Sequence, residues 1–126
     1  MTTFAALTAL LFVTGAPKVE RIDAKSAAAL VDKGAATLVD VREEEEVNAG
    51  MAKPAKWFPL SKVKADPAAF KEFLSKLPKG KVIFYCEMGG RAGQAAEAAA
   101  QAGYTAANMG GLPDWKAAGL PTREKP

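Results

Sequence analysis

Histidine is absent from this chain, and cysteine occurs once, at position 86. The first absence removes imidazole acid–base chemistry. Together the two leave no donor set for a zinc site, and one thiol cannot close an internal disulfide. Long apolar runs are missing as well. The stretch Phe4 to Val13 is too short to span a bilayer, so stable membrane insertion is not expected. Nor is there a dense basic run. The net charge is +3, and the lysines are scattered from Lys18 to Lys125, which describes a solvated surface rather than a nucleic-acid patch. No phosphate-binding loop of the Gly…Gly-Lys-Ser/Thr kind occurs. Chemistry here must therefore use the thiol, carboxylates, arginine, lysine, hydroxyls or the backbone, and it calls for no cofactor or metal.

With 126 residues, nearly half of them apolar, the chain is long enough for one domain with one core. Residues 1–17 read as a separate apolar segment, and residues 18–126 as the domain. Phe4 to Val13, followed by Gly15-Ala16, has the look of an export signal's apolar core, although no Lys or Arg precedes it. The alternative is an extra helix packed on the domain. Export to a compartment such as the periplasm is the expectation, with the cytoplasm as the alternative. In an oxidising compartment a lone cysteine is chemical rather than structural.

Strands and helices alternate along the domain. Val19 to Ile22 reads as a short strand, and Asp23 opens a helix that Lys33-Gly34 stops. Thr37 to Val41 is a continuous apolar strand of the kind buried on both faces of a parallel sheet. Glu43 to Glu46 suit the first turn of a helix, where acids meet the positive end of the dipole and face solvent. Lys56 to Leu60 reads as an edge strand because of Pro59. Asp66-Pro67 caps a helix whose Phe70, Phe73, Leu74 and Leu77 form a core-facing stripe. Lys81 to Tyr85 is the next strand, Ala92 to Gln101 an alanine-rich helix, and Thr105 to Met109 a last strand. Gly110-Gly111-Leu112 turns into a short helix over Pro113 to Ala118. The pattern predicts one α/β domain with a mostly parallel sheet.

The thiol sits where an apolar strand ends and a helix begins, in Cys86-Glu87-Met88-Gly89-Gly90-Arg91. In open α/β sheets ligands collect at such points. The helix dipole favours negative charge on the sulfur. Gly89 and Gly90 let the backbone curl so that its N–H groups form a nest for an anion. Arg91 adds a charged donor fork. Glu87 works against these if its carboxylate faces the sulfur. A dinucleotide fingerprint fails here, because Met88 stands where the first glycine would be.

These residues resemble the rhodanese family of single-domain sulfurtransferases. Leu38-Val39-Asp40-Val41-Arg42-Glu43 resembles its early strand-to-helix signature, and Cys86 to Arg91 its active-site loop. Asn108 to Pro121, with Gly110-Gly111-Leu112-Pro113-Asp114-Trp115, resembles its closing segment. The resemblance implies a five-stranded, mostly parallel sheet with helices on both faces. It implies catalysis by Cys86 and Arg91, and a substrate cradle made of Glu87, Met88, Gly89, Gly90 and Arg91. The donor would be a small sulfur-containing anion such as thiosulfate, or a polysulfide or persulfide. Sulfur would pass through a Cys86 persulfide to cyanide, a thiol or a protein cysteine. The alternative is a sulfur-carrier module that holds persulfide with little turnover. Four residues separate Cys86 from Arg91, whereas phosphatases and arsenate reductases of the same fold carry one more. The chain departs from the family at Gly50-Met51-Ala52-Lys53-Pro54-Ala55, where many members read Gly-His-Ile-Pro-Gly-Ala. It departs again at Glu87 and at Ala92, where a hydroxyl residue is frequent.

Overall fold

The computed structural model describes residues 19–125, so the apolar segment over residues 1–17 lies outside the described residues. Five strands form the main sheet: β1 (Glu20–Arg21), β2 (Ala36–Asp40), β4 (Lys56–Trp57), β5 (Lys81–Cys86) and β6 (Ala106–Gly111). Their order is β1-β6-β5-β2-β4, and every pairing is parallel. The cysteine strand is thus the central one. A separate antiparallel pair joins β3 (Met51–Ala52) to β7 (Thr122–Arg123).

Alternation along the central strands sends side chains to two cores. Val39, Val82, Phe84 and Cys86 face the helices α3 (Leu60–Ala65), α4 (Pro67–Ser75) and α5 (Gly90–Gln101). Leu38, Ile83 and Tyr85 face the other side, with α1 (Ala24–Asp32), α2 (Glu44–Val47) and α6 (Leu112–Ala117). The expected helices on both faces are present. On the first face Phe58, Phe70, Phe73 and Phe84 form one aromatic cluster, with ring centroids 4.9–6.5 Å apart. Each fully buried ring of this kind contributes about 1.5–3 kcal/mol. The alanines Ala92, Ala95, Ala96 and Ala99 of α5 are all buried, which lets that helix sit close against β5 and β6.

The caps form as the residue types dictate. Asp23 accepts from the Ser26 N–H at 2.8 Å, and Asp66 accepts from the Ala69 N–H at 3.0 Å, with Pro67 opening α4. Three boundaries differ from expectation. The edge strand stops at Trp57, because Pro59 caps α3, and Leu60 and Val63 turn inward there. Helix α5 starts at Gly90 rather than Ala92. The turn expected at Gly110-Gly111 is the end of β6 instead. Phe84 pairs with Asn108 and Tyr85 with Gly110, so Met109 is an unpaired extra residue, and Gly110 takes φ +96° at this bulge.

Candidate active site

Cys86 ends the central strand and is 1% exposed. Its sulfur lies under the loop that links β5 to α5. The Gly89 N–H donates to Sγ at 2.9 Å and the Ala92 N–H at 3.4 Å, while the Gly110 carbonyl oxygen lies 3.8 Å away. Among the described residues, the N–H groups of Gly90 and Arg91 have no acceptor, as befits the first turn of a helix. They remain open to an atom arriving beside the sulfur.

The two loop glycines have different reasons to be glycine. Gly89 adopts φ +108° and caps α5, and this conformation aims its N–H at the sulfur. Gly90 has ordinary helical geometry, and a Cβ added there would meet nothing within 4 Å. So the curl expected of both glycines belongs to Gly89 alone, and Gly90 marks open space. Met88 stands at the crown of the loop, 91% exposed, so its side chain projects away from the protein.

Arg91 does not face the sulfur with a free fork. Its Nη1 and Nη2 pair with the two carboxylate oxygens of Glu46, at 2.5 and 2.8 Å. Hydrogen bonding to Arg91 holds the Glu46 carboxyl down at about 2, and the same bond raises the guanidinium above its ordinary value. The acidic run on α2 is therefore only partly the solvated helix start that its composition suggests. Glu44 and Glu45 are exposed, but Glu46 clamps the loop arginine and Glu43 accepts from the Ser61 N–H of α3 at 3.2 Å.

Three functional neighbours escape a reading based on the loop alone. Asp40 and Arg42 form a buried pair at the end of β2. Arg42 Nε and Nη2 both donate to Asp40, Nη2 at 2.8 Å, and Nη2 also donates to the Gly50 carbonyl at 2.7 Å. Burial works against the Arg42 charge, but Asp40 outweighs it and raises the guanidinium's pKa. Arg42 Nη1 lies 3.7 Å from Glu87 Oε2, so Glu87 leans toward Arg42, with its side chain 45% exposed. Burial, and then the charge of Asp40, push the Tyr85 hydroxyl well above its ordinary value, and it accepts from the Ala52 N–H at 3.0 Å. Asn108 is the third neighbour. It is 5% exposed, donates from Nδ2 to the Gly89 carbonyl at 2.9 Å, and accepts at Oδ1 from the Gly110 N–H at 2.8 Å. It ties the bulge of β6 to the turn that presents the sulfur's donors. A polar amide inside an otherwise apolar strand was the available signal.

Comparison with known proteins places this arrangement. The profile of the rhodanese-like domain family matches residues 23–118. The human protein thiosulfate:glutathione sulfurtransferase is 35% identical over 113 residues, spanning 82% of this chain and 96% of that one. A solved human single-domain sulfurtransferase superposes with a TM-score of 0.61 at 34% identity, covering 82% of this chain and 97% of its own. A protein from Rhodopseudomonas palustris, described as of unknown function and a possible tyrosine phosphatase, gives a TM-score of 0.69 at 27% identity. That match covers 83% of this chain and 85% of the other.

Proposed function

The chain belongs to the rhodanese-like domain family, and on that premise we propose that it is a sulfurtransferase working through a Cys86 persulfide. One observation carries the mechanism: a buried strand-end sulfur that accepts from the Gly89 and Ala92 N–H groups, next to two unsatisfied N–H groups of the same loop. The Cys86 thiolate attacks the outer sulfur of a donor. The bond between that sulfur and the rest of the donor breaks, and its electron pair leaves with sulfite, a sulfinate or a thiolate. Cys86 now carries a terminal sulfur bearing one negative charge. The N–H groups of Gly90 and Arg91 are placed to hold that charge, which is electrostatic stabilisation by preorganised donors. A nucleophilic acceptor (cyanide, a small thiol or a protein cysteine) then attacks the terminal sulfur and releases the Cys86 thiolate. No proton need be moved by a histidine, and none exists.

Arg91 acts in this scheme as a framework for the loop. Its pairing with Glu46 anchors the start of α5 to α2, which keeps the first-turn N–H groups in register with the sulfur. The human relative's name joins thiosulfate to glutathione; for this chain we assign a sulfane-sulfur donor and a thiol-type acceptor.

The test is intact-protein mass after incubation with thiosulfate, with a thiosulfonate and with polysulfide. A gain of one sulfur, absent in Cys86→Ser, is the expected result. With cyanide present, steady thiocyanate formation identifies the enzyme, whereas one sulfur loaded without turnover identifies a carrier. An unchanged mass with every donor overturns both.

A further inference from the structure

We propose that the sulfur donor of this site carries at most one negative charge, and that Glu87 is the residue that turns dianions away. The proposal rests on the sulfurtransferase reading and names its substrate class.

Two of the cations at the loop are already committed. Arg91 is engaged by both oxygens of Glu46. Arg42 spends Nε and Nη2 on Asp40 and Gly50, and its Nη1 reaches the Glu46 carbonyl at 3.4 Å. A third guanidinium, Arg21, lies within 4 Å of where a Cβ on Gly89 or Gly110 would stand, and the Asp114 carboxylate lies within 3 Å of the same Gly110 position, so this corner of the site carries one charge of each sign. Against the two arginines at the loop stand Asp40, Glu46 and Glu87, and Glu43 lies within electrostatic reach of Arg91. Glu87 is the least compensated of these. Its one cationic neighbour among the described residues is Arg42, at 3.7 Å, which is beyond hydrogen-bond length. It is also bonded directly to the residue that must become a thiolate.

Charge then sorts the donors. A thiosulfate dianion meeting the Cys86 thiolate gathers three negative charges in a site whose fixed charges already lean negative. A thiosulfonate monoanion gathers two. The backbone N–H groups of Gly90 and Arg91 serve both equally, because they meet only the atom at the sulfur. The penalty for the second charge falls on Glu87, and it is paid by dianions alone.

Two donors of similar size read this directly. Thiosulfate releases sulfite, and methanethiosulfonate releases methanesulfinate, each leaving the same Cys86 persulfide with charge conserved. With cyanide as the common acceptor, kcat/KM is measured for both in the native protein and in Glu87→Gln and Glu87→Lys. The expected result is a ratio of thiosulfate to methanethiosulfonate that rises about fivefold in Glu87→Gln and further in Glu87→Lys. The exposed Glu45→Gln should leave the ratio where it was. A ratio that does not move across the Glu, Gln, Lys series overturns the proposal while leaving the sulfur-transfer reading intact. Failure of both donors to load sulfur on Cys86 in every variant overturns the two readings together.

Discussion

Gly90 and Gly111 make opposite predictions about the same substitution. A Cβ on Gly111 would fall 1.8 Å from the Glu87 carbonyl oxygen, because the loop passes directly over this residue. Backbone cannot yield as a flexible side chain does, so Gly111→Ala must displace the loop. The expected loss is about 1–3 kcal/mol of stability, with sulfur uptake by Cys86 lost as well. Gly90→Ala meets open space in a helical conformation and should gain up to about 1 kcal/mol. Thermal denaturation of the two variants separates them. If Gly90→Ala keeps its fold but loads sulfur more slowly, the open space at Gly90 is where the donor lies. Neither distinction is visible in the letters Gly-Gly-Arg or Gly-Gly-Leu, since what separates the glycines is φ and a contact between distant segments.

At the scale of elements, the site is assembled from the ends of β2, β5 and β6 together with α2, and Asn108 is its cross-brace. Asn108→Ala leaves the Gly110 N–H unpaired in a buried place and takes one of two donors from the Gly89 carbonyl, which keeps the Gly93 N–H, at a cost of about 1–3 kcal/mol. Its effect on the rate of persulfide formation should persist at temperatures where the variant is fully folded, because the Gly89 N–H loses its aim. An undisturbed rate would restrict Asn108 to stability. The strands and the longer helices were legible from their apolar patterns and caps: Asp23, Asp66-Pro67, and the stripe of Phe70 and Leu74. The six-residue α3 was not, since Leu60 and Val63 alone supply too little periodicity. The β3–β7 pair was not either, because two-residue strands exist only through their partner. Cys86 and its Gly89 donor were foreseeable from position, but the Ala92 donor was not. The Glu46–Arg91 clamp was not, because the acidic run obeys the helix-dipole rule equally well whether or not one member turns inward.

At the scale of the molecule, that clamp links stability to pH. The Glu46 carboxyl sits at about 2 in the folded protein against an ordinary 4.5. A folded value below the unfolded one means the contribution is complete above about pH 4.5 and is lost as pH falls through about 2. The pair is partly exposed, so its worth is about 1 kcal/mol or less. Glu46→Gln should therefore unfold at lower urea concentration than the native protein at pH 7. The gap should narrow between pH 4.5 and 2. A gap that stays constant down to pH 2 would assign the difference to packing rather than to charge.

The order of the main sheet has one more consequence. Its two outer strands, β1 and β4, are only two residues long and carry Glu20, Arg21 and Lys56. Short, charged margins offer little template for another chain to add a strand. The long apolar strands that would be most adhesive, β2 and β5, are sealed in the interior. Among the described residues, the main sheet accordingly offers a neighbouring molecule, including any partner that exchanges sulfur with it, no long edge to extend.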